Sequence, residues 1–158
     1  MTDQAPTARG ERISMEGAAT LLTVTKTTGI GAMTGAVNGA AYGESTSEQT
    51  ELADGRLTYT MFHQFLDHDG SRLHTIDRAV LGPGADGESS TLEVEYTVVE
   101  ATGRFEGCSG TFRSRGWLKT PPDDGASAQQ SVGAVRFEGE IRRGRPARQQ
   151  AKRDFLAP

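Results

Sequence analysis

TLEVEYTVVE, ATGRFEGCSG and TFRSRGWL follow one another over residues 91–118, and their reading decides the fold. In the first part Leu92, Val94, Tyr96 and Val98 share one parity; Glu93, Glu95 and Thr97 take the other. Alternation with period 2 is the mark of a strand with one buried face. The middle part sets Gly103, Gly107 and Gly110 around Phe105. The third part resumes as strand, with Arg113, Arg115 and Trp117 on one face and Phe112, Ser114 and Leu118 on the other. A strand, a glycine-rich turn with one aromatic plug and a second strand make a corner of a barrel or a sandwich.

Upstream, the same pattern repeats. LTYTMFHQFL (57–66) alternates Tyr59, Met61, His63 and Phe65 against Thr58, Thr60, Phe62 and Gln64. LHTIDRAVLG (73–82) alternates Leu73, Thr75, Asp77 and Ala79 against His74, Ile76, Arg78 and Val80. Asp54-Gly55 and Asp69-Gly70 bracket the first of these runs and read as hairpin turns. Farther back, a strand is expected from about Ala18 to Thr27, broken by Gly29, Gly31 and Gly35. A second extended segment, Thr34–Leu52, follows it, because Gly35, Gly39 and Gly43 argue against a helix there. Downstream, the loop with Pro121-Pro122 stops the ladder, and SVGAVRFEGEI (131–141) is the last strand.

Seven or eight strands joined mostly by short turns predict an all-β, single antiparallel up-and-down β-barrel of about eight strands with little helix. Closure removes exposed sheet edges. A two-sheet sandwich is the structural alternative. The division expected is a disordered leader at 1–14, a barrel domain at 15–141 and a basic C-terminal tail at 142–158. The tail reads as disordered, or as a short helix from about Pro146 to Phe155.

Composition narrows the class. The 158 residues suit one domain, and 20 glycines are too many for a helical bundle. The net charge of −4 is uneven: residues 142–158 carry +5, leaving −9 on the remainder. An acidic body does not read as a nucleic-acid surface. Cys108 is the only cysteine, so no intrachain disulfide forms. MTDQAPTARGER at the start has no apolar run of the signal-peptide kind, and no segment reaches membrane-spanning length. The expectation is a cytoplasmic protein with no membrane and no nucleic-acid partner.

The residues ATGRFEGCSGTFRSRG resemble a corner of the allene oxide cyclase barrel superfamily, where a Gly-[Arg/Ile]-[Phe/Tyr]-x-Gly-x-x-Gly turn precedes a late strand. GESTSEQTEL and LHTIDRAVLG resemble strands of its small bacterial members, and the order of segments agrees over roughly residues 15–141. The resemblance implies a lumen that pre-folds an apolar substrate, supplies a few polar groups and excludes water, with no cofactor. Isomerisation of fatty-acid epoxides and cyclisation of polyenes in polyketide pathways are the activities of such barrels. The match does not carry individual catalytic residues over.

Parity supplies the candidate site. If Leu92, Val94, Tyr96 and Val98 face the lumen, so do Tyr59, Met61, His63, Phe65, Leu73, Thr75 and Asp77. Glu48, His63 and Asp77 are the candidate catalytic residues, since a buried carboxylate beside a histidine can share a proton. Tyr59, Met61, Phe65, Tyr96, Arg113 and Trp117 are the candidate substrate contacts, the arginine for an anionic group. The competing reading pairs Asp77 with Arg113 or Arg78 as a satisfied ion pair. His63, His68 and His74 show no metal-ligand spacing, so no metal site is expected. Cys108 reads as a small buried side chain.

The function expected is a small-molecule cyclase or isomerase of secondary metabolism, folding an apolar unsaturated or epoxide-bearing metabolite in the lumen. The alternatives are a binding protein that sequesters such a ligand unchanged and a solidly filled structural barrel. A homo-oligomer is expected, because both faces of 57–66 carry apolar groups.

Overall fold

The structure, a computed structural model, describes residues 10–122 and 130–144. The strands in chain order are β1 (Glu11–Ser14), β2 (Gly17–Thr23), β3 (Thr28–Gly35), β4 (Gly39–Ser45), β5 (Thr50–Glu51), β6 (Leu57–Asp67), β7 (Arg72–Pro83), β8 (Ser90–Thr102), β9 (Cys108–Ser109), β10 (Thr111–Lys119) and β11 (Val132–Arg143). Eight of them close a circuit, β2-β3-β4-β6-β7-β8-β10-β11, because β11 pairs back onto β2. Every pairing is antiparallel, so the protein is an up-and-down barrel. Among the described residues the single helical turn is the 3-10 turn Gly103–Phe105. No helix among them is long and apolar enough to cross a membrane.

The two hairpin turns form where Asp-Gly places them. Gly55 and Gly70 adopt φ of 86° and 88°, the left-handed region such turns require. The three remaining strands are extensions. β5 prolongs the β4 side of β6, and β1 and β9 flank the far end of β11.

Three expectations change. Gly29 and Gly31 do not break a strand; they lie inside β3, and only Gly35 ends it. A glycine looks the same in a turn and in a tightly coiled strand, and only the pairing separates the two. Glu11–Ser14, expected in a disordered leader, forms β1, because β11 outruns β2 and its free edge is covered there, Ile13 opposite Ile141. Arg142 and Arg143, assigned to the tail, end β11. The rest of the tail, its candidate helix and residues 1–9 lie outside the described residues.

One end of the barrel is sealed. Phe105, Ile141, Val37 and Met15 are buried there, and Cys108 packs with them as a small apolar group. The chain crosses this end at Gly103 (φ 63°), where an added Cβ would stand 2.3 Å from Ser71 Oγ. The Arg104 amide donates to that same Ser71 Oγ at 2.9 Å. Asp67 ties the seal together: the Asn38 amide donates to its Oδ1 at 2.8 Å and Arg104 Nε to its Oδ2 at 3.1 Å. Above the seal an aromatic layer of Phe65, Tyr96, Phe112 and Phe137 crosses the barrel.

Candidate functional site

The inward parity read from the sequence is the observed one. Val94, Tyr96, Phe65, Leu73, Thr75 and Asp77 are buried, and Tyr59, Met61 and His63 line a cavity of about 310 Å³. The aromatic layer is its floor. Its mouth, at the end opposite the seal, carries Thr23, Thr27, Ser45, Gln49, Thr120 and Ser131. A barrel of about eight strands is normally filled by its own side chains. Here one wall lacks them: Ala19, Gly29, Gly31, Ala41 and Gly43 face the lumen from β2, β3 and β4. At Gly43 and Gly31 the neighbours already take that place, the His63 ring at one and Leu21 with the Thr20 carbonyl oxygen at the other, and the void lies beyond them.

His63 and Asp77 meet in this lumen. They sit on adjacent strands, and His63 Nδ1 lies 2.6 Å from Asp77 Oδ2. The Asp77 side chain is 0% exposed and that of His63 14%. A ring nitrogen this close to a carboxylate carries the proton and donates it; in the neutral ring this tautomer leaves Nε2 as the acceptor. Nε2 lies beside Gly43, the direct partner of His63 on β4. A Cβ on residue 43 would stand 2.6 Å from Nε2, so this ring position requires glycine. Asp77 Oδ1 and Thr75 Oγ1 are buried with no hydrogen-bond partner among the described residues. Between His74 and Thr75 the β7–β8 register shifts, leaving Val99 as the extra residue of a bulge beside the site.

Tyr96 closes the lumen floor. Its hydroxyl shares a hydrogen bond of 2.8 Å with Ser114 Oγ, and both residues are buried. Burial raises the Tyr96 pKa far above the usual tyrosine value, and the nearby Asp77 charge adds to that. Tyr96 therefore stays protonated and serves as a hydrogen-bonding wall. Burial also raises Tyr59.

The structure does not bring every candidate here. Glu48 is exposed and does not line the cavity. The β4 alternation stops at Ser45; beyond it Thr46 N–H donates to the Thr60 carbonyl and Ser47 Oγ accepts from the Thr60 amide, which carries Glu48 outward. Arg113 and Trp117 face outside as well. Arg113 Nε pairs with Glu138 at 2.6 Å, and Trp117 is 45% exposed. Phe112 and Ser114 pair with Tyr96 and Val94 and take the inward parity, so Arg113 and Trp117 take the outward one. Asp77 pairs with His63 and with neither arginine. Gly43 and Ser114 are the site residues missed; the odd-numbered Ala41-x-Gly43 spacing and the parity of Phe112 were their signals.

The three histidines are dispersed. His63 is in the lumen, His68 lies in the turn beside Asp67, and His74 faces outward against Glu100 at 3.2 Å. Among the described residues no group of three or more His, Cys, Asp or Glu is placed to hold a metal ion. The site therefore defines a class: a closed β-barrel with a lumen open at one end and a histidine–carboxylate pair in its wall. No family model, curated protein or solved structure matches this chain.

Proposed function

We propose that the barrel binds a small apolar metabolite in its lumen and acts on it as a cofactor-independent isomerase or cyclase, in the manner of the allene oxide cyclase-like barrels its corner resembles. The observation that carries this reading is the 2.6 Å His63–Asp77 pair in the wall of the cavity. Asp77 orients the ring and stabilises the imidazolium that forms when Nε2 takes a proton. The aromatic floor and the apolar lining of Leu21, Met61, Leu81 and Leu92 keep water away while the ligand is held in one shape. The lumen supplies orientation and a single proton carrier, which suffices for isomerisation or ring closure without net oxidation. We place this activity in cytoplasmic secondary metabolism, in a homo-oligomer.

Incubation of the protein with a panel of unsaturated and epoxide-bearing lipids and polyenes, followed by chiral product analysis, tests the reading. The wild-type protein converts at least one of them, and His63→Gln binds it without converting it. Equal conversion by both proteins would remove His63 from the chemistry. Binding without conversion by the wild type would leave a protein that sequesters its ligand.

A further inference from the structure

Two polar groups of the lumen have no hydrogen-bond partner among the described residues. His63 Nε2 is one, since the bond of this ring is made by Nδ1. The Tyr59 hydroxyl is the other, and Tyr59 lines the same cavity. Tyr96, the tyrosine of the floor, is already bonded to Ser114. Burial raises the Tyr59 pKa, so its proton stays on and the group is a donor. The phenol points inward, close enough for its charge to be felt at the buried Tyr96 hydroxyl. A free donor and a free acceptor therefore face one apolar space. Both lie on β6, with Tyr59 nearer the mouth. Their Cα atoms are separated by about 13 Å along the strand.

From this pairing we infer that the substrate is an α,β-unsaturated carbonyl compound, its carbonyl oxygen held by the Tyr59 hydroxyl and its γ-carbon beside His63 Nε2. The inference rests on the lumen being the site of chemistry, as proposed above, and narrows the metabolite to one class. The spacing selects it. The atom at Tyr59 is not the atom that meets His63, and conjugation carries charge between the two. The γ C–H bond aligned with the π system breaks. Its proton moves to Nε2, and its electron pair forms the β,γ double bond. The α,β pair shifts towards the carbonyl carbon, and the carbonyl pair settles on oxygen, where Tyr59 donates to it. A donor in place where charge develops lowers the barrier. The imidazolium then returns the proton to the α-carbon and the carbonyl re-forms. The double bond has moved, and no oxidant or reductant is consumed. Size agrees with a small substrate: the cavity of about 310 Å³ takes roughly ten non-hydrogen atoms at about 30 Å³ each, the liquid share of a water.

The test uses two probes on the intact protein: isophorone, a cyclic enone of that size, and the matching trimethylcyclohexene, which lacks the carbonyl. Carbon NMR reads the bound carbonyl, and proton NMR in deuterated water follows exchange of the γ-protons. In the wild type the γ-protons exchange, a readout that needs no variant, and the carbonyl signal lies downfield of its position in hexane. Tyr59→Phe removes a hydroxyl that holds nothing in the fold. It moves the carbonyl signal back upfield, slows γ-exchange about 10²-fold and weakens isophorone about threefold to tenfold. The affinity for trimethylcyclohexene stays unchanged. Isophorone bound with the same carbonyl signal and the same exchange in both proteins overturns the role of Tyr59. Isophorone bound to the wild type without γ-exchange overturns the enone chemistry. Either result leaves the lumen site standing. Failure of both probes to bind overturns the inference and the lumen site together.

Discussion

Asp67 and Asp77 are two buried aspartates on neighbouring strands, each 3% exposed, and the barrel treats them differently. Asp67, at the sealed end, has both oxygens engaged by Asn38 and Arg104. Asp77, in the lumen, has one oxygen on His63, while the other has no partner among the described residues. A buried polar group normally finds its partners, and leaving one out is costly. A fully tied carboxylate is therefore structural. A half-tied one beside a histidine and a cavity is a polar group the fold leaves unsatisfied, the feature on which the proposed function rests. The sealed end holds the barrel closed; the open end leaves room.

Breaking each end separates the two roles. Phe105 is 0% exposed in the seal, and Phe105→Ala should cost about 4 kcal/mol of stability in urea denaturation. An unchanged midpoint would show that the seal is not what holds the barrel. His63→Gln should lower turnover roughly 10²–10⁴-fold while ligand affinity is kept. Loss of affinity with unchanged turnover would make His63 a wall residue. Asp67→Asn should cost about 1–2 kcal/mol, because half-exposed Arg104 loses its nearer carboxylate and keeps only Asp69 at 3.7 Å. The pH dependence sharpens this. The Arg104 hydrogen bond, with help from the Asn38 amide, holds the Asp67 carboxyl well below the usual range. Its contribution is thus present above the unfolded value of about 4 and is lost as pH falls towards the folded one. The wild type should lose stability between about pH 5 and pH 3 more steeply than Asp67→Asn. Parallel curves would remove Asp67 as the acid-sensitive tie. The smallest effect belongs to the outer face: Trp117→Ala should change stability by less than about 1 kcal/mol and leave ligand binding alone. A large loss of binding would return Trp117 to the site.

Much of this architecture was legible in short-range pattern. The alternation of Leu92, Val94, Tyr96 and Val98 set the inward parity, and it transferred correctly to His63 and Asp77 because hairpin partners share a face. Consistent use of the same parity excludes Arg113 and Trp117, which lie opposite Glu95 and Thr91 on the outer face. Glu48 misled because alternation carries no information past the last paired residue. What remained hidden depends on distant pairing. β1 forms only because β11 extends beyond β2, and the value of Gly43 appears only once it stands opposite His63. The Val99 bulge has no local signature, yet it shifts the parity of β8, so that Ala101 rather than Glu100 takes the inner side beyond Val98.

The central claim is that His63 offers Nε2 to a ligand while Asp77 holds Nδ1–H. Long-range ¹H–¹⁵N correlation on the His63 ring tests it directly, with and without an unsaturated lipid of the panel above as probe. The account predicts a neutral ring protonated at Nδ1, with an Nε2 resonance that moves when the probe enters. A ring protonated at Nε2, or an Nε2 signal indifferent to bound probe, would contradict it.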